Sequence, residues 1–183
     1  SMKITETKIK DVYIISPEIS NDERGYFFES YRDEIIKEIS SDIHFCQENE
    51  SKSTFGVIRG LHYQMPPYAQ TKLVRVIQGS VLDIVLDIRK GSSSFGEYVE
   101  VELNEKNKSQ LLVPRGFAHG FVVLSEEAIF SYKVDNYYNK ESERGIAFDD
   151  KFLGIDWRVN VDDLKISEKD KNNPSFNNAD YFE

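Results

Sequence analysis

The sequence predicts an all-β domain, a sandwich or barrel of short antiparallel strands with little helix. Three observations carry this. Residues 81–88 run Val-Leu-Asp-Ile-Val-Leu-Asp-Ile, with Leu82, Ile84, Leu86 and Ile88 at the even positions and Val mixed with Asp83 and Asp87 at the odd ones. Such period-two alternation marks a strand with one dry face. Further Val-, Ile- and aromatic-rich runs follow at similar spacing, punctuated by Gly, Pro and Asn, in a chain whose aromatic content is 13%.

In chain order, Asp33–Ile39 has apolar residues at i, i+1 and i+4 and predicts a helix of two turns. Strands are predicted over 72–78, 81–88, 97–103, 110–113, 119–124 and 128–134. The turn signals between them are Gly79-Ser80, Lys90-Gly91-Ser92, Asn104 with Asn107, and Pro114-Arg115-Gly116. Ser167-Glu168-Lys169-Asp170 has the Ser-x-x-Asp form of a helix start. From Asn172 onward the chain is polar, and residues 172–183 are expected to be a loose tail.

At 183 residues the chain is expected to form a single domain, 1–183, able to bury a full core. Its net charge is −9, without the basic excess of a nucleic-acid binder. It has no apolar run of about 18 residues, so no membrane-spanning helix is expected. No export signal is visible, and Cys46 stands alone, which excludes an internal disulfide. The expectation is a cytoplasmic protein that acts on a small molecule.

Two segments stand out for chemistry: Arg59-Gly60-Leu61-His62-Tyr63-Gln64 and Pro114-Arg115-Gly116-Phe117-Ala118-His119-Gly120. A Pro-x-Gly-x-x-His turn between strands is familiar from cupin barrels, many of which hold a metal through a His-x-His pair. Here that pair reads His62-Tyr63-Gln64, and Gln does not replace imidazole as a ligand for a transition metal. No metal is therefore expected, and His62 is either a structural histidine or an acid–base group. Two inward positions are suggested by phase. Tyr132 shares a face with Ala128, Phe130 and Val134, and Lys72 shares one with Val74 and Val76. In a regular strand Arg59 faces opposite to His62, so either Gly60 marks a bulge or Arg59 reaches the site from the rim.

With these motifs and with Asp22-Glu23-Arg24-Gly25-Tyr26-Phe27-Phe28-Glu29, Gln47-Glu48-Asn49, Gln70-Thr71-Lys72-Leu73-Val74-Arg75, Tyr132-Lys133 and Asn136-Tyr137-Tyr138, the chain resembles the dTDP-4-dehydrorhamnose 3,5-epimerase family over about residues 4–171. The resemblance implies a cupin-type jelly roll, a double-stranded β-helix barrel with minor short helices. It implies inversion of C3 and C5 of a 4-keto-6-deoxyhexose linked to dTDP, through an enolate and without metal or organic cofactor. His62 would be the base, Asp170 its partner, Tyr132 the acid on the opposite face, and Lys72 the cation at the enolate oxygen. Arg24 and Arg59 would hold the pyrophosphate. Glu29, Gln47, Glu48 and Asn49 would serve the nucleoside, Tyr138 would stack on thymine, and His119, Glu143 and Lys169 would complete the contacts. The resemblance also implies a homodimer in which residues 1–30 form an arm that crosses to the partner. Two alternatives stay open: inversion at one carbon of a related sugar, and a non-catalytic cupin that binds a nucleotide sugar.

Overall fold

The computed structural model describes residues 2–183. The strands are β1 (Lys3–Glu6), β2 (Tyr13–Ser16), β3 (Ile19–Asp22), β4 (Gly25–Phe28), β5 (Gln47–Thr54), β6 (Ile58–Gln64), β7 (Lys72–Gln78), β8 (Ser80–Asp87), β9 (Tyr98–Asn104), β10 (Gln110–Val113), β11 (Phe117–Val123), β12 (Glu127–Val134) and β13 (Glu143–Gly145). Two α-helices accompany them, α1 (Asp33–Ile39) and α2 (Glu168–Lys171). All pairings among the named strands are antiparallel, and they make two large sheets. One has the order β1-β2-β10-β7-β12-β5 and the other β13-β6-β11-β8-β9; β3 and β4 form a separate hairpin. The chain thus has the predicted all-β jelly-roll architecture. No helix among the described residues is long and apolar enough to cross a membrane.

Three apolar layers hold the sheets. Val74, Val76, Val81, Val85, Leu111, Phe121 and Phe130 fill the interior between them. Outside the six-stranded sheet, Ile36 of α1 and Ile43 pack on Leu73 and Leu112. Outside the five-stranded sheet, Leu82, Ile84, Leu86 and Ile88 lie beneath Ile146, Trp157 and Phe176. Strand β8 therefore differs from the expectation of one dry face. Both of its faces are buried, because the chain after β12 folds back over its even-numbered side chains. Its odd-numbered residues, Asp83 included, point between the sheets.

The segment 172–183 also differs from expectation, since it is docked rather than loose. Phe176 is only 3% exposed. The backbone N–H of Lys90 donates to the Phe182 carbonyl (2.8 Å), and that of Phe182 donates to the Ile88 carbonyl (2.9 Å). The Tyr63 hydroxyl donates to the Asp180 carbonyl at 2.6 Å, and Arg144 pairs with Asp180 at 2.7 Å. Overall polarity concealed three aromatic anchors, Phe176, Tyr181 and Phe182, which cover the apolar face of β8. Truncating one anchor leaves a cavity in a dry layer. Phe176→Ala is expected to destabilise the chain by about 3–5 kcal/mol, read as a lower urea midpoint at unchanged slope.

Candidate active site

The site begins with an irregularity in β6. His62 pairs with His119 of β11, and Arg59 with Phe121, so three steps along β6 oppose two along β11. That is a β-bulge, and it resolves the phase question: Arg59 and His62 both face inward. Glycine is required for it. Gly60 has φ +135°, and a Cβ there would lie 2.6 Å from the Gly120 Cα. The Gly60–Leu61 peptide is cis.

Between the sheets, toward one end, lies a cavity of about 570 Å³. The five-stranded sheet contributes Arg59, His62, His119 and Phe121 to its walls. The opposing sheet contributes Asn49, Ser51, Lys72, Phe130 and Tyr132, and α2 adds Lys169 and Asp170. The inward phases predicted for Tyr132 and Lys72 hold, and the Lys72 ammonium lies 5.9 Å from the Tyr132 ring centre.

His62 Nε2 bonds Asp170 Oδ1 at 2.7 Å. Asp170 is presented by α2, whose first turn is capped by the Ser167 hydroxyl accepting from the Asp170 N–H, as the Ser-x-x-Asp pattern predicts. The carboxylate also accepts from the Gly60 N–H (3.2 Å) and the Asn173 amide (3.4 Å). Burial pushes Asp170 upward, but His62 and these donors outweigh it and hold the carboxyl below its ordinary range. With Nε2–H given to Asp170, Nδ1 is the ring nitrogen left to accept a proton. Lys72 is also lowered, but toward its neutral form. Burial lowers its ammonium to about 8, opposed in part by Asp83 and Glu143.

Other predicted residues lie one or two contacts away. Gln47 donates to Asn49 (3.1 Å) and accepts from the Tyr138 N–H (3.2 Å), while the Tyr138 hydroxyl reaches Glu143 at 3.3 Å. Glu143 is ion-paired with Lys169. Three are not brought to the cavity. Glu48 alternates with Gln47 and Asn49 on β5, so it faces away and pairs with Lys133 at 2.7 Å. Arg24 and Glu29 lie outside it as well, Arg24 held by Asp22 (2.6 Å) on the β3–β4 hairpin and Glu29 by Arg32 (2.7 Å). Sequence reading missed Ser53, which accepts from Arg59 at 2.9 Å, and Asp83, which bonds His119 Nε2 at 2.8 Å. Asp83 carried a usable signal, a carboxylate in phase with Val81 and Val85.

The family model described as dTDP-4-dehydrorhamnose 3,5-epimerase matches residues 6–178. The chain belongs to that family. It is 50% identical over 182 residues to the dTDP-4-dehydrorhamnose 3,5-epimerase of Shigella flexneri, covering 99% of each chain. It is similar in structure to the enzyme of that name from Elizabethkingia anophelis, with a TM-score of 0.92, 51% identity and coverage of 96% and 97% of the two chains. It is also similar to the dTDP-6-deoxy-D-glucose-3,5-epimerase of Legionella pneumophila, solved in complex with dTDP-4-keto-L-rhamnose, with a TM-score of 0.93, 44% identity and coverage of 98% and 95%. In this member of the dTDP-4-dehydrorhamnose 3,5-epimerase family, Gln64 is a loop clamp. Its amide donates to the Tyr68 and Tyr137 carbonyls (2.7 and 3.1 Å) and accepts from the Asn139 N–H (2.9 Å).

The depressed Asp170 titration has a consequence for stability. A carboxyl whose folded value lies below its unfolded value stabilises the fold above the unfolded value, about 3.9, and loses that contribution as pH falls through the folded one. Asp170→Asn is therefore expected to be less stable than the parent at pH 7, with the gap closing as pH drops below about 4. Urea midpoints at neutral and acid pH check this.

Proposed function

We propose that this chain epimerises C3 and C5 of dTDP-4-dehydro-6-deoxy-D-glucose, giving dTDP-4-dehydro-L-rhamnose. The observation that carries the reading is that the candidate base and acid project from opposite walls of one cavity, His62 from the five-stranded sheet and Tyr132 from the facing one. A hexose ring lying between them exposes one face to each. Protons at C3 and C5 are acidified by the C4 ketone. His62 Nδ1 removes one, Asp170 stabilises the imidazolium, and Lys72 balances the charge on the enolate oxygen. Tyr132 returns a proton from the other side, which inverts the carbon. Arg59 receives the pyrophosphate, and the Gln47, Asn49 and Tyr138 cluster receives the nucleoside.

Incubation in heavy water separates the two proton transfers. His62→Ala is expected to abolish deuterium uptake at both carbons while nucleotide binding persists. Tyr132→Phe is expected to retain uptake, by return of deuterium from His62, and to lose inversion by about 100-fold or more. Equal loss of uptake and inversion in Tyr132→Phe would refute its role as the acid.

The reading includes a homodimer with exchanged arms. The β3–β4 hairpin pairs with no other strand and exposes Tyr26 (58%) and Phe27 (75%), whereas β5, beside the cavity, is an edge strand. An arm laid on the partner's β5 edge would bring Arg24 and Glu29 to the partner's nucleotide. Sedimentation is expected to give a dimer at micromolar concentration, and Phe27→Asp to shift it toward monomer with loss of nucleotide affinity. A fully active monomer would contradict the shared site.

A further inference from the structure

The inward face of the five-stranded sheet carries a second carboxylate–imidazole pair that the proposed mechanism leaves unused. His62 and His119 are register partners on β6 and β11, so their rings are neighbours on one face. Each has its own carboxylate, Asp170 for His62 and Asp83 for His119. The pairs differ in one respect. Asp170 accepts from several donors, whereas Asp83 is wholly buried and its Oδ1 is the one buried side-chain polar atom among the described residues without a hydrogen-bond partner. An orphaned carboxylate oxygen inside a barrel is costly unless a cation faces it.

Glu50, Arg59, His62, His119, Tyr132, Lys165, Lys169 and Asp170 line the cavity with Lys72, and the acidic groups that act on its ammonium are Asp83 on β8 and Glu143 on β13. Asp170 is occupied by His62, and Glu143 by Lys169. That leaves Asp83 as the acidic group able to balance the Lys72 ammonium. Resting on the epimerase reading above, we propose that Asp83 is a positioning residue for the reaction. It fixes the His119 ring through Nε2, so that Nδ1 faces the cavity as an acceptor, and it serves as the counter-charge that keeps Lys72 cationic for the enolate. Asp83 and Lys72 each favour the charged form of the other, against a burial that raises Asp83 and lowers Lys72.

The test is Asp83→Asn in the full chain, with deuterium uptake and inversion followed from pH 6 to 10 beside the parent. Lys72 must be protonated to act, and removing the negative charge lowers its affinity for the proton. The basic limb of kcat/KM, set in the parent by an ammonium titrating at about 8, is expected to move to lower pH. At neutral pH kcat should fall roughly 100-fold while KM changes little. A merely structural role would reduce activity without moving the limb, so an unmoved limb overturns the proposal while the epimerase reading stands. A parent chain that takes up no deuterium would overturn both. If the variant fails to fold, nitrogen NMR of the parent decides. His119 is expected as the Nε2–H tautomer throughout, with Lys72 titrating near 8, and an Nδ1–H tautomer or an ordinary lysine titration overturns the proposal.

Discussion

The hydrogen bond between His62 and Asp170 joins residues 108 positions apart, and the cavity is arranged around it. It depends on the need to cover apolar surface. The outer face of β8 and β11 presents Leu82, Ile84, Leu86, Ala118 and Val122, and the chain after β12 returns across them with Ile146, Trp157 and Phe176. That return brings Lys165 beside β6, where its N–H donates to the Gly56 carbonyl and its carbonyl accepts from Ile58. Helix α2 follows at once and delivers Asp170. The His62–Asp170 pair thus follows from burying the sheet's outer face, and the docked tail reaches it directly through the Asn173 amide, 3.4 Å from Asp170 Oδ1.

The second constraint is the bulge at Gly60. Without the extra residue, β6 would send Arg59 and His62 to opposite faces, and the sheet would separate the guanidinium from the imidazole. Gly60 and Gly120 permit it by letting two backbones approach more closely than any Cβ allows. One local departure from period two therefore places a guanidinium and an imidazole in the same cavity.

The interior is also electrostatically divided. Aromatic side chains line part of the cavity, with Phe121 and Phe130 stacked at 4.2 Å, and His119 lies against Phe130. Such walls lower the local dielectric, so the few ionic groups inside act strongly on one another. This explains why both are lowered for different reasons: burial favours the neutral form of Lys72, whereas three donors favour the charged form of Asp170.

Much of this was legible in the residues. Apolar runs bounded by turn residues located β7, β8, β10 and β12 within a residue or so. A phase argument placed Tyr132 and Lys72 indoors, and the Ser167 cap was readable from four residues. Strand β5 was silent, since Gln47–Thr54 lines a polar cavity on one side and solvent on the other and so carries no hydrophobic period. The residues alone determined an all-β chain, its inward polar groups and, through family motifs, the reaction they suit. Only the tertiary structure decided that Asp170 reaches His62, that Arg59 turns inward, that Glu48 turns outward, and that Asp83 stands behind His119. Those outcomes depend on the register between strands and on how a returning segment covers a sheet, which are contacts between distant parts of the chain and leave no periodic trace along it.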